Sequence, residues 1–301
     1  MEITIGIPAY NEEKNISEII KKLQKITTKI IVCDDGSSDS TGKIVKEMGV
    51  LVVRHEKNLG YGAAIRSIFL KAREEKSESL ITLDSDGQHR IEDIKTVIEP
   101  IKNGTSDLVI GSRFLDNNGK NVPRYRKMGI KILTTLANTT LKQNITDSQS
   151  GFRGYGKRVI EEITPSESGM GVSNEILIKA SKKGFQIVEV PITILYGGET
   201  SSQNPISHGS SVMFSTLKFI SIEHPLKFYG IPGSIFLTVG LIFLIYTIQL
   251  FTESHQILLS SAIIGVSSVT FGAIMFMAAI LLYSMVNLIR NKNIKKSFSK
   301  N

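Results

Sequence analysis

Two stretches near the carboxyl terminus, Phe228 to Thr252 and Gln256 to Ile289, contain no Asp, Glu, Lys or Arg. About 20 apolar residues at 1.5 Å each span a bilayer, and a charge at midplane costs about 2.5–3.5 kcal/mol. Separated only by Glu253-Ser254-His255, the two stretches are expected to form a helical hairpin through the membrane. Buried core helices of a soluble protein are the plainer alternative, but both runs exceed the usual length of such helices. The second run has 34 residues, which make about 51 Å of helix against a hydrocarbon core of about 30 Å. Tilt, a start near Ile263 or an interfacial turn is expected to absorb the excess. Gly240, Gly265, Ser268, Gly272 and Ala273 are small enough to let the helices approach closely.

Basic residues flank the hairpin. Lys218 and Lys227 precede it, and Arg290, Lys292, Lys295, Lys296 and Lys300 follow it, while the connecting turn has none. The positive-inside rule therefore places both ends, and everything before them, in the cytoplasm of a cell-membrane protein. A membrane-facing surface accounts for the net charge of +8. Nucleic acid is a weaker explanation, since no recognised binding module occurs. The one cysteine, Cys33, lies in an apolar strand and reads as a packed core thiol. The chain opens directly on a strand, so no cleaved signal peptide is expected. Three segments follow: a soluble domain over 1–205, an interfacial linker over 206–227, and the hairpin with its basic tail over 228–301. In the linker, Val212, Met213, Phe214, Leu217, Ile220 and Ile222 recur at near-helical spacing, as in an amphipathic helix at the lipid surface. A core helix docking on the sheet is the alternative.

In the soluble part, strand-like runs alternate with helical ones. Strands are expected at Ile3–Ile7, Ile30–Cys33, Val50–Val53, Leu80–Leu83 and Leu108–Ile110. Helices are expected at Glu12–Ile26, Thr41–Met48, Ala63–Arg73 and Ile91–Ile101. Repeated βα units imply an α/β fold with a mostly parallel, Rossmann-like sheet and right-handed crossovers. Each polar loop then lies at a strand's carboxyl end, where open α/β sheets bind ligands. The most informative loop is Asp84-Ser85-Asp86-Gly87-Gln88-His89. Two carboxylates one residue apart suit a hard divalent cation that also holds phosphate oxygens. A polar turn is the bland reading. Tyr10, Glu12, Asp34, Asp35 and Arg113 occupy the other loops on the same edge, and their convergence favours a ligand site. No G-x-x-x-x-G-K-[ST] occurs, and Gly60-Tyr61-Gly62 lacks dinucleotide-fingerprint spacing, which argues against a P-loop NTPase and a dehydrogenase.

Six motifs in order, Ile7-Pro8-Ala9-Tyr10-Asn11-Glu12-Glu13, Asp34-Asp35-Gly36-Ser37, Asn58-Leu59-Gly60-Tyr61-Gly62, Asp84 through His89, Gly111-Ser112-Arg113 and Ser150-Gly151-Phe152-Arg153, resemble family two of the glycosyltransferases. The likeness is to the dolichyl-phosphate mannose synthase branch and its polyprenyl-phosphate relatives, and it covers about two thirds of the chain. The resemblance implies a GT-A fold and inverting transfer of a hexose, mannose or glucose, from a nucleotide-diphosphate sugar to a polyprenyl phosphate. By similarity, Pro8, Ala9, Tyr10, Glu12 and Ser85 help hold the nucleotide, and one of Asp34 and Asp35 reads the base. Asp84 contacts ribose or metal-bound water. Asp86, with Gln88 as helper, ligates Mg²⁺ or Mn²⁺, and Asp84 belongs to the same metal group. Arg113 and Arg126 meet the acceptor phosphate, and Asp147 and Gln149 bind sugar hydroxyls or orient the acceptor. GDP-mannose and UDP-glucose both fit the donor class, dolichyl and undecaprenyl phosphates both fit the carrier, and a homo-oligomer is compatible with it.

Two plainer readings run beside these. Arg113 and Arg126 are solvated surface charges in the first, and Glu175 is a helix-face carboxylate near Lys179 in the second. One departure from the family is the stretch Tyr196 to Pro205, followed by His208, where mannose synthases carry an Arg- and Lys-rich acceptor loop. Its glycines and serines suggest a mobile cover. His208 is expected to be a turn residue rather than a phosphate ligand. Two rival functions are a transferase extending a sugar acceptor and a catalytically silent membrane-complex partner. The absence of Trp counts against the first, and the intact Asp84/Asp86 pair counts against the second. Deleting Phe228 to Asn301 is expected to release a soluble domain that still binds nucleotide. A truncated chain that pellets with membranes after high-speed centrifugation would refute this topology.

Overall fold

The structure, a computed structural model, describes residues 2–115, 124–139, 141, 143–194, 221 and 225–298. The chain divides into two compact units, Met1–Thr216 and Leu217–Asn301. The first holds a seven-stranded sheet in the order β3-β2-β1-β4-β6-β5-β7. Its strands are β1 (Ile3–Ala9), β2 (Ile30–Asp34), β3 (Leu51–Arg54), β4 (Ser79–Thr82), β5 (Leu108–Ser112), β6 (Arg153–Gly156) and β7 (Ile187–Pro191). All pair in parallel except β6, which runs antiparallel between β4 and β5.

Helices cover both faces. On β2, Ile30 and Val32 point to one face while Ile31 and Cys33 point to the other, the period-two alternation of a strand buried on both sides. One face packs against α1 (Ile16–Leu23), α2 (Thr41–Glu47) and α4 (Ile94–Lys102), through Ile16, Ile20, Leu23, Val45, Val97 and Ile98. The other packs against α3 (Tyr61–Glu74), α6 (Lys157–Glu162) and α7 (Val172–Lys182). Cys33 is a core thiol there, with its pKa pushed up to about 12 by burial and by the neighbouring Asp35 and Asp34. Outside these layers, α5 (Arg124–Asn138) precedes β6.

The strand and helix order matches the expectation, with two local differences. Helix α1 starts at Ile16 rather than Glu12, because Asn11 adopts a left-handed conformation (φ 56°) that keeps 10–15 out of the helix. The antiparallel β6 has only four residues, two of them glycine, and carries too little periodicity to be read as a strand.

The second unit is a helical hairpin. A single π-helical turn (Leu226–Gly230) leads into α8 (Ile231–Ser254), and α9 (Leu259–Phe298) follows. Both are long and apolar enough to cross a membrane, over Leu226–Ser254 and Leu259–Val286. Helix α9 is continuous from Leu259, so three residues of the uncharged run, 256–258, precede it, and it begins ahead of the late start near Ile263. Small residues recur every seven positions at the contact, Gly233, Gly240 and Thr247 on α8 and Gly265, Gly272 and Ala279 on α9, with Ser261 bonded to Thr247 beside them. A Cβ on Gly240 would lie 2.9 Å from the Gly265 carbonyl, and one on Gly272 would lie 2.8 Å from that of Gly233. Ala273, expected at this contact, is instead exposed. The expected interfacial helix over 206–227 lies outside the described residues except for 221 and 225–227, as do the loop over 196–205 and His208.

In the first unit, the first turn of α3 abuts the backbone of 167–169. Ser168 O accepts from Gly62 N at 2.8 Å, and a Cβ on Gly62 would lie 2.2 Å from Glu167 O. Gly62→Ala is therefore expected to destabilise this unit by about 1–3 kcal/mol, a fall in Tm of roughly 2–12 °C. Gly129→Ala, on an open side of α5, is the control and leaves Tm unchanged or raises it in the same thermal scan.

Candidate active site

Parallel strands deliver their following loops to one edge of the sheet, and the reversed β6 brings its leading residues, Ser150 to Phe152, to that same edge. Asp84 stands there just beyond β4. The Tyr61 hydroxyl donates to its Oδ1 at 3.1 Å, and His89 Nε2 lies 3.5 Å from its Oδ2. Gly151 presses against the same carboxylate, since a Cβ there would lie 2.6 Å from Oδ1. The Thr82 hydroxyl holds the Gly151 carbonyl at 2.9 Å. Burial alone would push the Asp84 carboxyl up, but His89, Tyr61 and the Arg113 charge outweigh it and hold Asp84 below its usual value. The Tyr61 hydroxyl is driven well above its usual value by burial and by Asp84. His89 packs edge-to-face on Phe152 at 5.1 Å, and its Nδ1 is buried without a hydrogen-bond partner.

Asp86 accepts from Gln88 N at 3.0 Å, closing a tight turn through Gly87 (φ +72°). Asp84 and Asp86 line a groove of about 480 Å³ whose other wall is α1 and its lead-in, through Asn15, Glu18, Ile19 and Lys22. Tyr10 and Asp35 are not among the residues that line it. The loop after β1 joins this centre through Glu12. Burial raises the Glu12 carboxyl, and Asp86, Asp39 and Asp84 raise it further, against a hydrogen bond from Asn15 at 3.1 Å. Glu12 thus senses both carboxylates of the Asp-x-Asp loop. Of the remaining residues implied to hold nucleotide, Tyr10 is exposed, whereas Pro8, Ala9 and Ser85 are buried.

Asp34 and Asp35 are both buried. Asp35 accepts from Leu59 N and Gly60 N, each at 2.9 Å, and lies 2.6 Å from His55 Nδ1, so it secures the loop entering α3. Asp34 Oδ1 accepts from Ser37 N at 2.9 Å, and its Oδ2 lacks a hydrogen-bond donor with Arg54 Nε 3.3 Å away.

Beyond β5, Arg113 grips Asp147 with Nε and Nη2, both at 2.7 Å, and its backbone N–H adds a third contact at 3.1 Å. Asp147 is fully buried, which does not suit the direct contact with sugar hydroxyls allowed from sequence. It fixes the Arg113 guanidinium instead. Glu189 on β7 secures the turn behind it, accepting from Thr146 N at 2.7 Å and Asp147 N at 3.0 Å. Gln149 likewise faces inward, donating to Ser148 Oγ and Asn174 Oδ1 at 2.8 and 3.0 Å. Arg153 is buried and donates to the carbonyls of Ser148, Ser150 and Ser173 at 2.7–2.8 Å, which shapes the turn that carries Gly151. Glu175 pairs with Lys179 at 2.6 Å and accepts from Ser166 N and Glu167 N, so it organises a loop. Arg126 lies in the first turn of α5, and its side chain is outside the described residues.

Among the described residues, no group of three or more His, Cys, Asp or Glu side chains is spaced to hold an ion alone. A Mg²⁺-like ion does not need such a cage, since it keeps waters and takes one or two carboxylates together with substrate phosphates. Asp84 and Asp86, one residue apart on the same groove, are placed where they would supply such oxygens.

Sequence reasoning quoted Tyr61, His89, Gly151 and Arg153 only as parts of motifs and missed Glu189. Their contacts with the Asp84 and Asp147 turns explain why those residue types occur there. Burial would raise the Asp147 carboxyl, but Arg113 overcomes it and holds Asp147 below the usual Asp value of about 3.9. The pair's stabilisation is then complete above that value and lost as pH falls through the lower folded one. Asp147→Asn, which leaves Arg113 without its anion, is expected to cost about 3–5 kcal/mol at neutral pH. The gap between wild type and variant should narrow below about pH 4, as followed by thermal unfolding across pH. A gap that stays constant to acid pH would remove the ion pair as its source.

Comparison with known proteins accords with this geometry. The Glycosyl transferase family 2 profile matches residues 4–164. A UDP-N-acetylglucosamine–dolichyl-phosphate N-acetylglucosaminyltransferase of Methanococcus voltae is 34% identical over 232 residues, covering 70% of this chain and 90% of that one. A dolichol-phosphate mannosyltransferase of Pyrococcus furiosus is 36% identical over 205 residues, covering 64% of this chain and 56% of that one. Among solved structures, glucosyl-3-phosphoglycerate synthase from Mycobacterium tuberculosis, in complex with Mn²⁺, UDP and phosphoglyceric acid, superposes with a TM-score of 0.56 at 18% identity, covering 72% of this chain and 78% of that one. The sheet order, the matched segment and the shared architecture lead to one assignment: this chain is a member of glycosyltransferase family 2, built on the GT-A fold.

Proposed function

We propose that the protein is a membrane-bound, metal-dependent transferase that moves one sugar from a nucleotide-diphosphate sugar to a polyprenyl phosphate at the cytoplasmic face. The observation that carries this reading is the Asp84–Asp86 loop at the carboxyl edge beside an arginine locked by a buried carboxylate. It occurs in a chain that also has two helices able to cross a bilayer. The names of the Methanococcus and Pyrococcus relatives support a dolichyl-phosphate type of acceptor. The reading divides the chain into a catalytic domain over 1–205, an interfacial linker over 206–227 and a membrane hairpin over 228–301.

In this mechanism, Tyr10 and Glu12 hold the nucleotide, and Asp84 and Asp86, with Gln88 as helper, hold the ion. When bound, Mg²⁺ or Mn²⁺ offsets charge on the departing diphosphate. The acceptor phosphate is already anionic at neutral pH, so it needs no general base. Its oxygen attacks the anomeric carbon from the side opposite the diphosphate. The new C–O bond forms as the old one breaks, the electron pair leaves with the nucleoside diphosphate, and the configuration inverts. Arg113, held in one orientation by Asp147, and Arg126 hold the attacking phosphate.

A sugar-hydroxyl acceptor would require a carboxylate base. Asp147 does not suit that role, because it is buried and held ionised against Arg113. The donor base and sugar are proposed to be GDP-mannose or UDP-glucose, and the Methanococcus relative adds UDP-N-acetylglucosamine to the screen.

Incubation of the purified protein with each labelled donor, polyprenyl phosphate and Mg²⁺ or Mn²⁺ is expected to move label into the organic phase. Asp86→Ala should lower turnover by more than about 100-fold while leaving the unfolding transition in place. Undiminished transfer by that variant, or by wild type after chelation of divalent ions, would overturn the metal-dependent reading.

A further inference from the structure

The segment Asn58-Leu59-Gly60-Tyr61-Gly62 takes no part in the transfer chemistry above, yet it sends one side chain to the Asp-x-Asp loop. Gly60 (φ 98°) turns the chain into α3, of which Tyr61 is the first residue. The glycines on either side of Tyr61 both press on one carbonyl. A Cβ on Gly60 would lie 2.5 Å from Ser168 O, and Ser168 O accepts from Gly62 N and Ala63 N at 2.8 and 3.3 Å. Arg66 adds a bond to Ser166 O at 2.8 Å. The loop that receives these contacts is itself fixed by the buried Glu175, which accepts from Ser166 N at 2.9 Å and Glu167 N at 2.8 Å. The backbone at Tyr61 is therefore held from both sides, and a tyrosine ring on a fixed Cα has only two torsions to place its hydroxyl.

That hydroxyl donates to Asp84 Oδ1 at 3.1 Å. It keeps its proton, because burial and Asp84 drive its pKa well above the usual value. On the other oxygen, His89 Nε2 stands 3.5 Å from Oδ2, at the limit of a hydrogen bond. Gly151 lies against both oxygens, where a Cβ would come within 2.6 and 2.7 Å. The carboxylate is thus boxed by three neighbours, with 35% of the Asp84 side chain still open to solvent. An ionised carboxylate has about four acceptor positions, so a hydroxyl on Oδ1 leaves room for a cation. Hydrogen-bond partners of a carboxylate that holds a metal fix its orientation, and losing one typically costs roughly 10–100-fold in metal affinity.

We propose that Tyr61 is a positioning residue for Asp84: its hydroxyl holds the carboxylate in the orientation that takes a divalent cation, and so sets the affinity for that cation. This role rests on Asp84 and Asp86 holding the ion, as proposed above. Packing alone does not call for the hydroxyl, since a phenylalanine ring would fill the same space.

The test follows binding of UDP and of GDP to the full-length protein by calorimetry, first in EDTA and then at rising Mn²⁺. Wild type is expected to bind one of these nucleotides more tightly as Mn²⁺ rises. Tyr61→Phe keeps the ring, and Asp84 stays within reach of water, so the variant's unfolding transition is expected near that of wild type. It should bind nucleotide in EDTA as wild type does, and need roughly 10–100-fold more Mn²⁺ for the same gain. An equal Mn²⁺ requirement in the two proteins would overturn the role of Tyr61 and leave the metal reading standing. So would a Tyr61→Phe protein that fails to fold or loses nucleotide binding in EDTA, because the hydroxyl would then serve the fold rather than the ion. No effect of Mn²⁺ on either nucleotide in wild type would remove the metal reading, and the role of Tyr61 with it.

Discussion

Negative charge gathered at the carboxyl edge of the sheet is the condition around which the rest of the catalytic unit is arranged. Carboxylates near a protein interior persist as anions only when donors or cations face them. Asp84 has Tyr61, His89 and the nearby charge of Arg113, Asp35 has two backbone N–H groups and His55, and Asp147 has a two-pronged guanidinium. The Glu12 carboxyl is raised chiefly by burial and further by Asp86, Asp39 and Asp84, so the carboxylates of the first and fourth loops feel one another's charge. A divalent cation carried in with a diphosphate would offset that charge.

Much of this was legible in the sequence because strand ends are. A run of buried β-formers followed by Asp, Ser, Gly or Asn marks a carboxyl edge, and in a parallel sheet all such edges coincide. The motif loops after β1, β2, β4 and β5 were located in this way. The partners of those loops were not, since they are distant in sequence. Tyr61 reaches Asp84 across 23 residues, Arg113 reaches Asp147 across 34, and Asp147 N reaches Glu189 across 42. No local period encodes such pairs. The start of α1 differs for a related reason: Glu12 to Ile26 has helical spacing, but the left-handed Asn11 and the contacts of the 10–15 loop with Ser37 and Thr41 override it.

The hairpin shows the same division between pattern and partner. Absence of charge announced two spans, and small residues announced a close contact. Which small residues form that contact depends on the facing helix. Gly240 and Gly265 meet, as do Gly233 and Gly272, whereas Ala273 lies one position off the seam and faces outward. At such distances a single added methyl group meets backbone, so the seven-residue spacing fixes the hairpin in one register.

The reversed strand β6 has a mechanical consequence. It is the only strand joining β4 to β5 in the order of the described sheet, so the ladders between the two halves run through four residues, Arg153 to Gly156, helped by Phe152 O and by an isolated bridge from His89 to Ile194. One half bears the Asp-x-Asp loop, and the other bears Arg113. Any shear between them is taken up within that short ribbon, where Arg153 pins the preceding turn by three carbonyls. The distance between the two charged loops thus depends on one narrow splice and the bridge from His89 to Ile194 rather than on the width of the sheet.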